Sequence, residues 1–111
     1  MQYMILIYTS SASEHAIQTE ASEEFRAAHG SVIGELTVSG ELVDTHELAV
    51  PDAKIVRTGD GLSITAGPYA EATEWVGGYY LVDVASEARA LEIAARFVEA
   101  RFATVEVRRI V

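Results

Sequence analysis

The order of apolar and polar residues along the chain predicts six strands and two helices. Residues 3–8 form a continuous apolar run of strand length, so both faces of this strand should be covered. Apolar residues at spacings of three and four predict helices over residues 22–38 and 87–98. Gly30 and Gly34 weaken the first helix, and we interpret them as points of close packing on the sheet. The other predicted strands are residues 41–48, 54–58, 62–66, 78–84 and 104–111.

The order of these elements predicts the fold. Gly59-Asp60-Gly61 is a turn signal that joins two of the strands into a hairpin. With this hairpin set aside as an insertion, the order is βαββαβ, which is the ferredoxin-like α+β fold with both helices on one face of an antiparallel sheet. Residues 9–20 begin with Ser10-Ser11-Ala12-Ser13 and are predicted to be a loop, with His15 exposed to solvent. The 111 residues are expected to form a single domain, 1–111.

The predicted sheet has no polar face. Met4, Leu6 and Tyr8 alternate with apolar residues in the first strand, and the later strand around Tyr79 and Leu81 is similar. If the helices cover one face, the other presents an apolar patch of the kind that marks an interface. The sequence therefore predicts a homodimer.

Composition narrows the classes of partner. The chain has 17 acidic and 8 basic residues and a formal net charge of −9, so its surface field repels nucleic acids and anionic membranes. It has no cysteine, which excludes disulfides, thiol catalysis and sulfur-based zinc sites. The first apolar run is too short for a signal sequence or a membrane span, and a cytoplasmic location is expected.

The candidate chemistry centres on His29. On the first helix His29 shares a face with Phe25, so its ring should point toward the sheet. We interpret Asp44 as the carboxylate that orients His29, which then transfers a proton in a pocket between helix and sheet. Strand alternation would place four side chains of the second strand on one face: Leu42, Asp44, His46 and Leu48.

Other residues are expected to bind a ligand in this pocket. Arg26 is a candidate for holding an anionic substrate, and the remaining candidates are Phe25, His46 and Tyr79. No cofactor and no metal is expected. Two alternatives stay open at this point. In one, His29 is a partly buried histidine satisfied by a carbonyl or water, and Asp44 and His46 are ordinary polar residues of an edge strand. In the other, Asp44, His46 and His29 ligate a metal.

Several motifs carry a resemblance to a known family. They are Gly67-Pro68-Tyr69-Ala70-Glu71, Gly77-Gly78-Tyr79-Tyr80-Leu81-Val82-Asp83-Val84, the start Tyr3-Met4-Ile5-Leu6-Ile7-Tyr8, the helical Arg26-Ala27-Ala28-His29, Gly40-Glu41-Leu42-Val43 and the closing Val105-Glu106-Val107-Arg108. With these motifs the chain resembles YCII-related proteins of the DGPF type over nearly its whole length. It departs from the usual Asp-Gly-Pro-Phe motif, with Ala66 in place of the aspartate and Tyr69 in place of the phenylalanine.

The resemblance implies a fold, an assembly and a class of function. YCII-like proteins are typically dimeric α+β barrels in which two sheets pack face to face. A histidine on the first helix and an acidic residue farther along are a proposed acid-base pair in the family; His29 matches the first, and Asp44 matches the second loosely. This implies a cofactor-independent enzyme, such as a lyase, isomerase or dehydrohalogenase, for a small molecule. The alternative is a non-catalytic binding or regulatory dimer, linked to an extracytoplasmic-function sigma factor as protein partner.

Overall fold

The computed structural model describes residues 1–20, 22–67 and 73–111. The strands are β1 (Gln2–Thr9), β2 (Leu42–Glu47), β3 (Lys54–Arg57), β4 (Ser63–Ala66), β5 (Trp75–Asp83) and β6 (Thr104–Arg109). The helices are α1 (Ser11–Glu20), α2 (Ser22–Ser39) and α3 (Glu87–Arg96), and a 3₁₀ helix spans Val98–Arg101. The resemblance motif at Gly67-Pro68-Tyr69-Ala70-Glu71 lies outside the described residues after Gly67.

Four strands form an antiparallel sheet in the order β2-β5-β1-β6, and β3 pairs with β4 in a separate hairpin. This strand order, with α2 and α3 as the two connecting helices, is the ferredoxin-like arrangement. The predicted α+β fold with an inserted hairpin is therefore confirmed. The hairpin turn lies where the glycines predicted it, and Gly61 has φ of 91°, a conformation that favours glycine. No helix in the described part of the chain is long and apolar enough to cross a membrane.

One face of the sheet is buried under α2 and α3. Strand residues alternate, so every second side chain of β1 and β5 points to the helices. The core that results contains Tyr3, Ile5, Ile7, Val32, Leu36, Tyr80, Val82, Val84, Ala90, Ile93, Ala94 and Phe97. Burial of one such aliphatic side chain is worth about 1.5–3 kcal/mol, so this layer is the main source of stability. The opposite face, which we call the open face, carries the half-buried side chains of Met4, Leu6, Tyr8, Tyr79 and Leu81.

The predicted loop over residues 9–20 is wrong, because most of this segment is the helix α1. The serines that suggested a loop begin the helix instead. The Ser10 hydroxyl accepts a hydrogen bond from the backbone N–H of Ser13 at 3.2 Å, and the Ser10 carbonyl accepts one from Glu14 at 3.0 Å. These are the bonds of an N-cap residue. His15 is exposed, as predicted, but it lies on this helix.

A β-bulge in β2 decides which of its side chains face the helices. Leu42 pairs with Val82, whereas Asp44 pairs with Leu81, so the register shifts by one residue at Val43. Directly paired residues of antiparallel strands share a face. Leu42 therefore joins the helix-side core with Val82, and Asp44 lies on the open face with Leu81. The prediction that Leu42 and Asp44 share a face is wrong, because a bulge adds a residue to the alternation.

Candidate functional site

A cleft of about 660 Å³ opens at the end of the sheet formed by β2, β5 and β1, and its lining includes helix residues together with residues from both faces of the sheet. Its walls combine aromatic and aliphatic side chains with a small number of polar and charged groups. The described residues that line it are Ile7, Thr9, Glu14, Phe25, Arg26, His29, Thr45, His46, Glu47, Leu48, Gly77, Gly78, Tyr79, Tyr80 and Glu99. A volume of this size is typical of small-molecule sites.

His29 reaches the cleft from α2, and its ring is held on two sides. Phe25 lies one helical turn earlier and stacks on the imidazole, with ring centroids 5.7 Å apart and an interplanar angle of 6°. On the sheet side, Nδ1 of His29 lies 3.0 Å from the hydroxyl oxygen of Tyr80. The prediction that the His29 ring points to the sheet is confirmed. Nδ1 is therefore engaged, and among the described residues none forms a hydrogen bond with Nε2.

Tyr80 connects His29 to a buried carboxylate. The hydroxyl of Tyr80 donates to Oε2 of Glu99 at 2.5 Å. Both residues are almost completely buried, with 4% and 5% of their surface exposed. The Tyr80 ring stacks on Phe97 with centroids 3.8 Å apart, which fixes the position of the phenol. Burial, together with the negative charge of Glu99, raises the pKa of Tyr80 well above its ordinary value, so its hydroxyl keeps its proton.

Glu99 comes from the 3₁₀ helix that follows α3. The predicted helix over residues 87–98 starts where expected, with the Ser86 hydroxyl capping the N–H of Arg89, but α3 ends at Arg96. The chain then turns at Phe97 into the 3₁₀ helix Val98–Arg101, and the tighter winding turns Glu99 inward. Oε1 of Glu99 has no hydrogen-bond partner among the described residues.

The predicted pairing of Asp44 with His29 is wrong. Asp44 lies on the open face, where its carboxylate accepts a hydrogen bond from the Tyr79 hydroxyl at 2.7 Å and lies 3.2 Å from Nε2 of His46. The hydrogen bond from Tyr79 is the main cause that lowers the pKa of Asp44 below its ordinary value. The β2 bulge explains the error, since it turns Asp44 away from the helix that carries His29.

The cleft brings together most of the predicted site residues. Phe25, Arg26, His29, His46 and Tyr79 line it, whereas Asp44 is not among the described lining residues. Glu99 was missed in the sequence. Its signal was a charged residue between the apolar Val98 and Ala100, but the helical spacing gave no reason to turn it inward.

The metal alternative does not fit this geometry. Asp44 and His46 lie together on the open face, and His29 bonds Tyr80 on the helix side of the sheet. In residues 1–20, 22–67 and 73–111 no three histidine or carboxylate side chains are grouped closely enough to hold a metal ion.

The fold and the cleft define a small α+β protein of ferredoxin-like topology with a histidine between helix and sheet. The family model of the YCII-related domain matches residues 1–111, and the chain belongs to this family. The resemblance seen in the sequence motifs is thereby confirmed at the level of the family. No curated protein is similar enough to the chain to count as a match.

Proposed function

We propose that the protein is a cofactor-independent enzyme that performs acid-base chemistry on a small molecule, with His29 as the group that exchanges the proton. One observation carries this proposal: in a cleft of ligand size, His29 is bonded through Nδ1 to Tyr80, and no described residue bonds its second ring nitrogen. A histidine fixed through one nitrogen presents the other to a substrate in a defined direction.

The lining of the cleft supports a small, partly apolar substrate. Phe25, Leu48 and Tyr79 provide apolar surface, and Arg26 provides a cation for an anionic substituent. Glu14 and Glu47 add negative charge to the same lining, so a substrate with both a donor and an anionic group would find partners.

We also propose that the protein acts as a homodimer, a dimeric α+β barrel, through the open face. The helical residues of the core pack on the other face of the sheet, while Leu6 and Leu81 lie on the open face. An apolar sheet face of this kind is commonly covered by a second copy. The resemblance to DGPF-type proteins supports the same assembly.

Proton removal next to a carbonyl group is the common first step of isomerisation and elimination, and it provides a test. Wild-type protein in D₂O would be incubated with a panel of 2-oxo acids, 1,3-diketones and 3-haloketones, and the loss of α-proton signals followed by ¹H NMR. For at least one compound we expect the α-proton signal to be lost faster with the protein than without it. We expect His29→Gln to lower that rate by about 100-fold or more, since a positioned general base contributes at least this much.

His15→Gln is the matched control, because His15 is exposed on α1. The rate should be unchanged in this variant. Equal rates for wild type and His29→Gln across the panel would contradict the proposal. If a panel compound shifts the resonances of cleft residues saturably and no proton is lost, the alternative of a non-catalytic binding dimer, with or without a sigma-factor partner, would be favoured.

A further inference from the structure

The burial of Glu99 is not explained by packing. A carboxylate is costly to bury, and an apolar residue of similar volume would fill the same space at lower cost. Yet Glu99 is 5% exposed, and among the described residues Tyr80 alone donates a hydrogen bond to its carboxylate. The position of Glu99 behind Tyr80, and so two hydrogen bonds from the imidazole of His29, suggests a role in the site.

Counting protons assigns the direction of this chain of hydrogen bonds. The Tyr80 hydroxyl has one proton and two neighbours, Nδ1 of His29 at 3.0 Å and Oε2 of Glu99 at 2.5 Å. An ionised carboxylate can only accept a hydrogen bond, so the Tyr80 proton belongs to the bond with Glu99. The phenol oxygen then accepts from Nδ1–H of His29. In neutral imidazole the other nitrogen, Nε2, consequently has the lone pair.

We propose that Glu99, acting through Tyr80, holds neutral His29 as the Nδ1–H tautomer and so makes Nε2 a base toward the cleft. The reaction assigned to this base rests on the proposed function. The first step of that reaction is proton abstraction: the substrate C–H bond breaks, a new N–H bond forms at Nε2, and the electron pair stays on the substrate. The substrate class is accordingly a carbon acid, a small molecule with a proton next to an electron-withdrawing group.

Tyr80 and Glu99 are positioning residues in this account, because neither needs to touch the substrate. Proton transfer makes His29 an imidazolium, and its Nδ1–H remains bonded to Tyr80, whose own proton is bonded to Glu99. The negative charge of Glu99 stabilises that cation through the intervening hydroxyl. Phe25 and Phe97 keep the two rings in place by stacking, on His29 and on Tyr80 respectively.

The tautomer is directly measurable without any substrate. The ¹⁵N chemical shifts of an imidazole distinguish the protonated from the unprotonated ring nitrogen. They would be recorded at an alkaline pH, at which imidazole side chains are neutral. His29→Gln would assign the resonances of His29. We expect Nδ1–H to be the major form in wild type. In Tyr80→Phe, where Nδ1 loses its partner, Nε2–H should become the major form.

Glu99→Gln tests the carboxylate without removing its shape. A glutamine amide both donates and accepts, so it no longer dictates where the Tyr80 proton lies, and the fraction of Nδ1–H should fall. Tyr8→Phe is the matched control, because Tyr8 also donates to a carboxylate, that of Glu106 at 3.2 Å, but lies on the open face and does not line the cleft; it should leave the tautomer of His29 unchanged. A purely structural role for Glu99 would alter the melting temperature without altering the tautomer.

A wild-type His29 that carries its proton on Nε2 would overturn the inference, and so would an unchanged tautomer in both Tyr80→Phe and Glu99→Gln. The wild-type measurement alone decides the matter if a variant fails to fold. The tautomer can also be judged independently of the proposed function. An Nδ1–H tautomer with no turnover on the panel would support the hydrogen-bond chain from His29 to Glu99 and would contradict the proposal that the protein is an enzyme.

Discussion

Tyr79 and Tyr80 are neighbours in the sequence, and their hydroxyl groups bond carboxylates on opposite faces of the sheet. Tyr79 donates to Asp44 on the open face at 2.7 Å, and Tyr80 donates to Glu99 on the helix side at 2.5 Å. The alternation of a strand separates the two phenols. The same chemistry is therefore placed once in a half-exposed setting and once in a buried one, which allows a matched comparison.

The first prediction compares Phe substitutions at these two positions. Tyr80→Phe removes the one described hydrogen bond of a buried carboxylate, and we expect the free energy of unfolding to fall by about 1–3 kcal/mol. Tyr79→Phe should cost clearly less, since Asp44 keeps Nε2 of His46 as a second partner at 3.2 Å. Urea unfolding of the two variants provides the measurement. Equal losses would contradict the different burial of the two carboxylates.

The second prediction concerns pH. Arg89 donates from Nε and from one terminal nitrogen to the two oxygens of Glu41, both at 2.9 Å, and so links α3 to the chain just before β2. This pair lowers the pKa of Glu41 from 4.5 to about 2. Because the folded pKa is the lower one, the stabilisation by the ionised Glu41 is present above about pH 4.5. It is lost as pH falls toward about 2.

Urea unfolding of wild type and Glu41→Gln across that range measures this effect. The difference in their unfolding free energies should be largest at the upper end of the range and shrink as the pH falls. Glu92→Gln is the control, because Glu92 also bonds Arg89 but its side chain is 63% exposed. We expect a smaller difference for it. A gap between wild type and Glu41→Gln that does not change with pH would argue against the ion pair.

The third prediction follows from a correction. Close packing was expected at Gly34, but a Cβ placed there meets no atom of the described residues within 4 Å apart from its neighbours in the chain and the backbone of its own helix, and Gly34 has no positive φ. Gly34→Ala should therefore stabilise α2, raising the unfolding free energy by about 0.5–1 kcal/mol. Gly78→Ala should destabilise instead, because its Cβ would lie 3.0 Å from the carbonyl oxygen of His46. A loss of stability in Gly34→Ala would show that the glycine has a packing role after all.

The fourth prediction tests the proposed dimer. Light scattering should give twice the 12.0 kDa mass of the chain. Leu6→Lys places a charge in the open face and should produce monomers, because an unpaired charge is strongly disfavoured in an apolar interface. Leu91→Lys, at a leucine of α3 that is 51% exposed, should stay dimeric. A wild type that is monomeric at micromolar concentration would remove the proposed interface.

The sequence predicted the larger elements because their signals are local. The apolar run of β1, the glycines of the hairpin turn and the cap at Ser86 each depend on a few neighbouring residues, and all three agree with the structure. The site could be predicted only in part. His29 and Phe25 share a helix face, so their stacking follows from helical spacing.

The identity of the carboxylate behind His29 could not be predicted in the same way. One residue of bulge in β2 moved Asp44 to the open face, and one turn of 3₁₀ helix brought Glu99 inward. Both depend on tertiary packing, which overrides strand alternation and helical period. The loop predicted from Ser10 and its neighbours was wrong for a simpler reason, since a serine cluster is compatible with either a loop or a helix cap.

The central claim is that His29, Tyr80 and Glu99 act together through one chain of hydrogen bonds. Its most direct test is a double-mutant cycle on the rate of proton abstraction. The substrate is the panel compound with the fastest loss of its α-proton, and the quantity is kcat/KM for wild type, Tyr80→Phe, Glu99→Gln and the double variant. We predict that each single change lowers kcat/KM by about 10-fold to 100-fold, the range found when the hydrogen-bond partner that orients a metal-bound histidine is replaced. The double variant should be no worse than the poorer single one, because either change breaks the same chain. Losses that multiply in the double variant, or single variants with wild-type kcat/KM, would contradict the account.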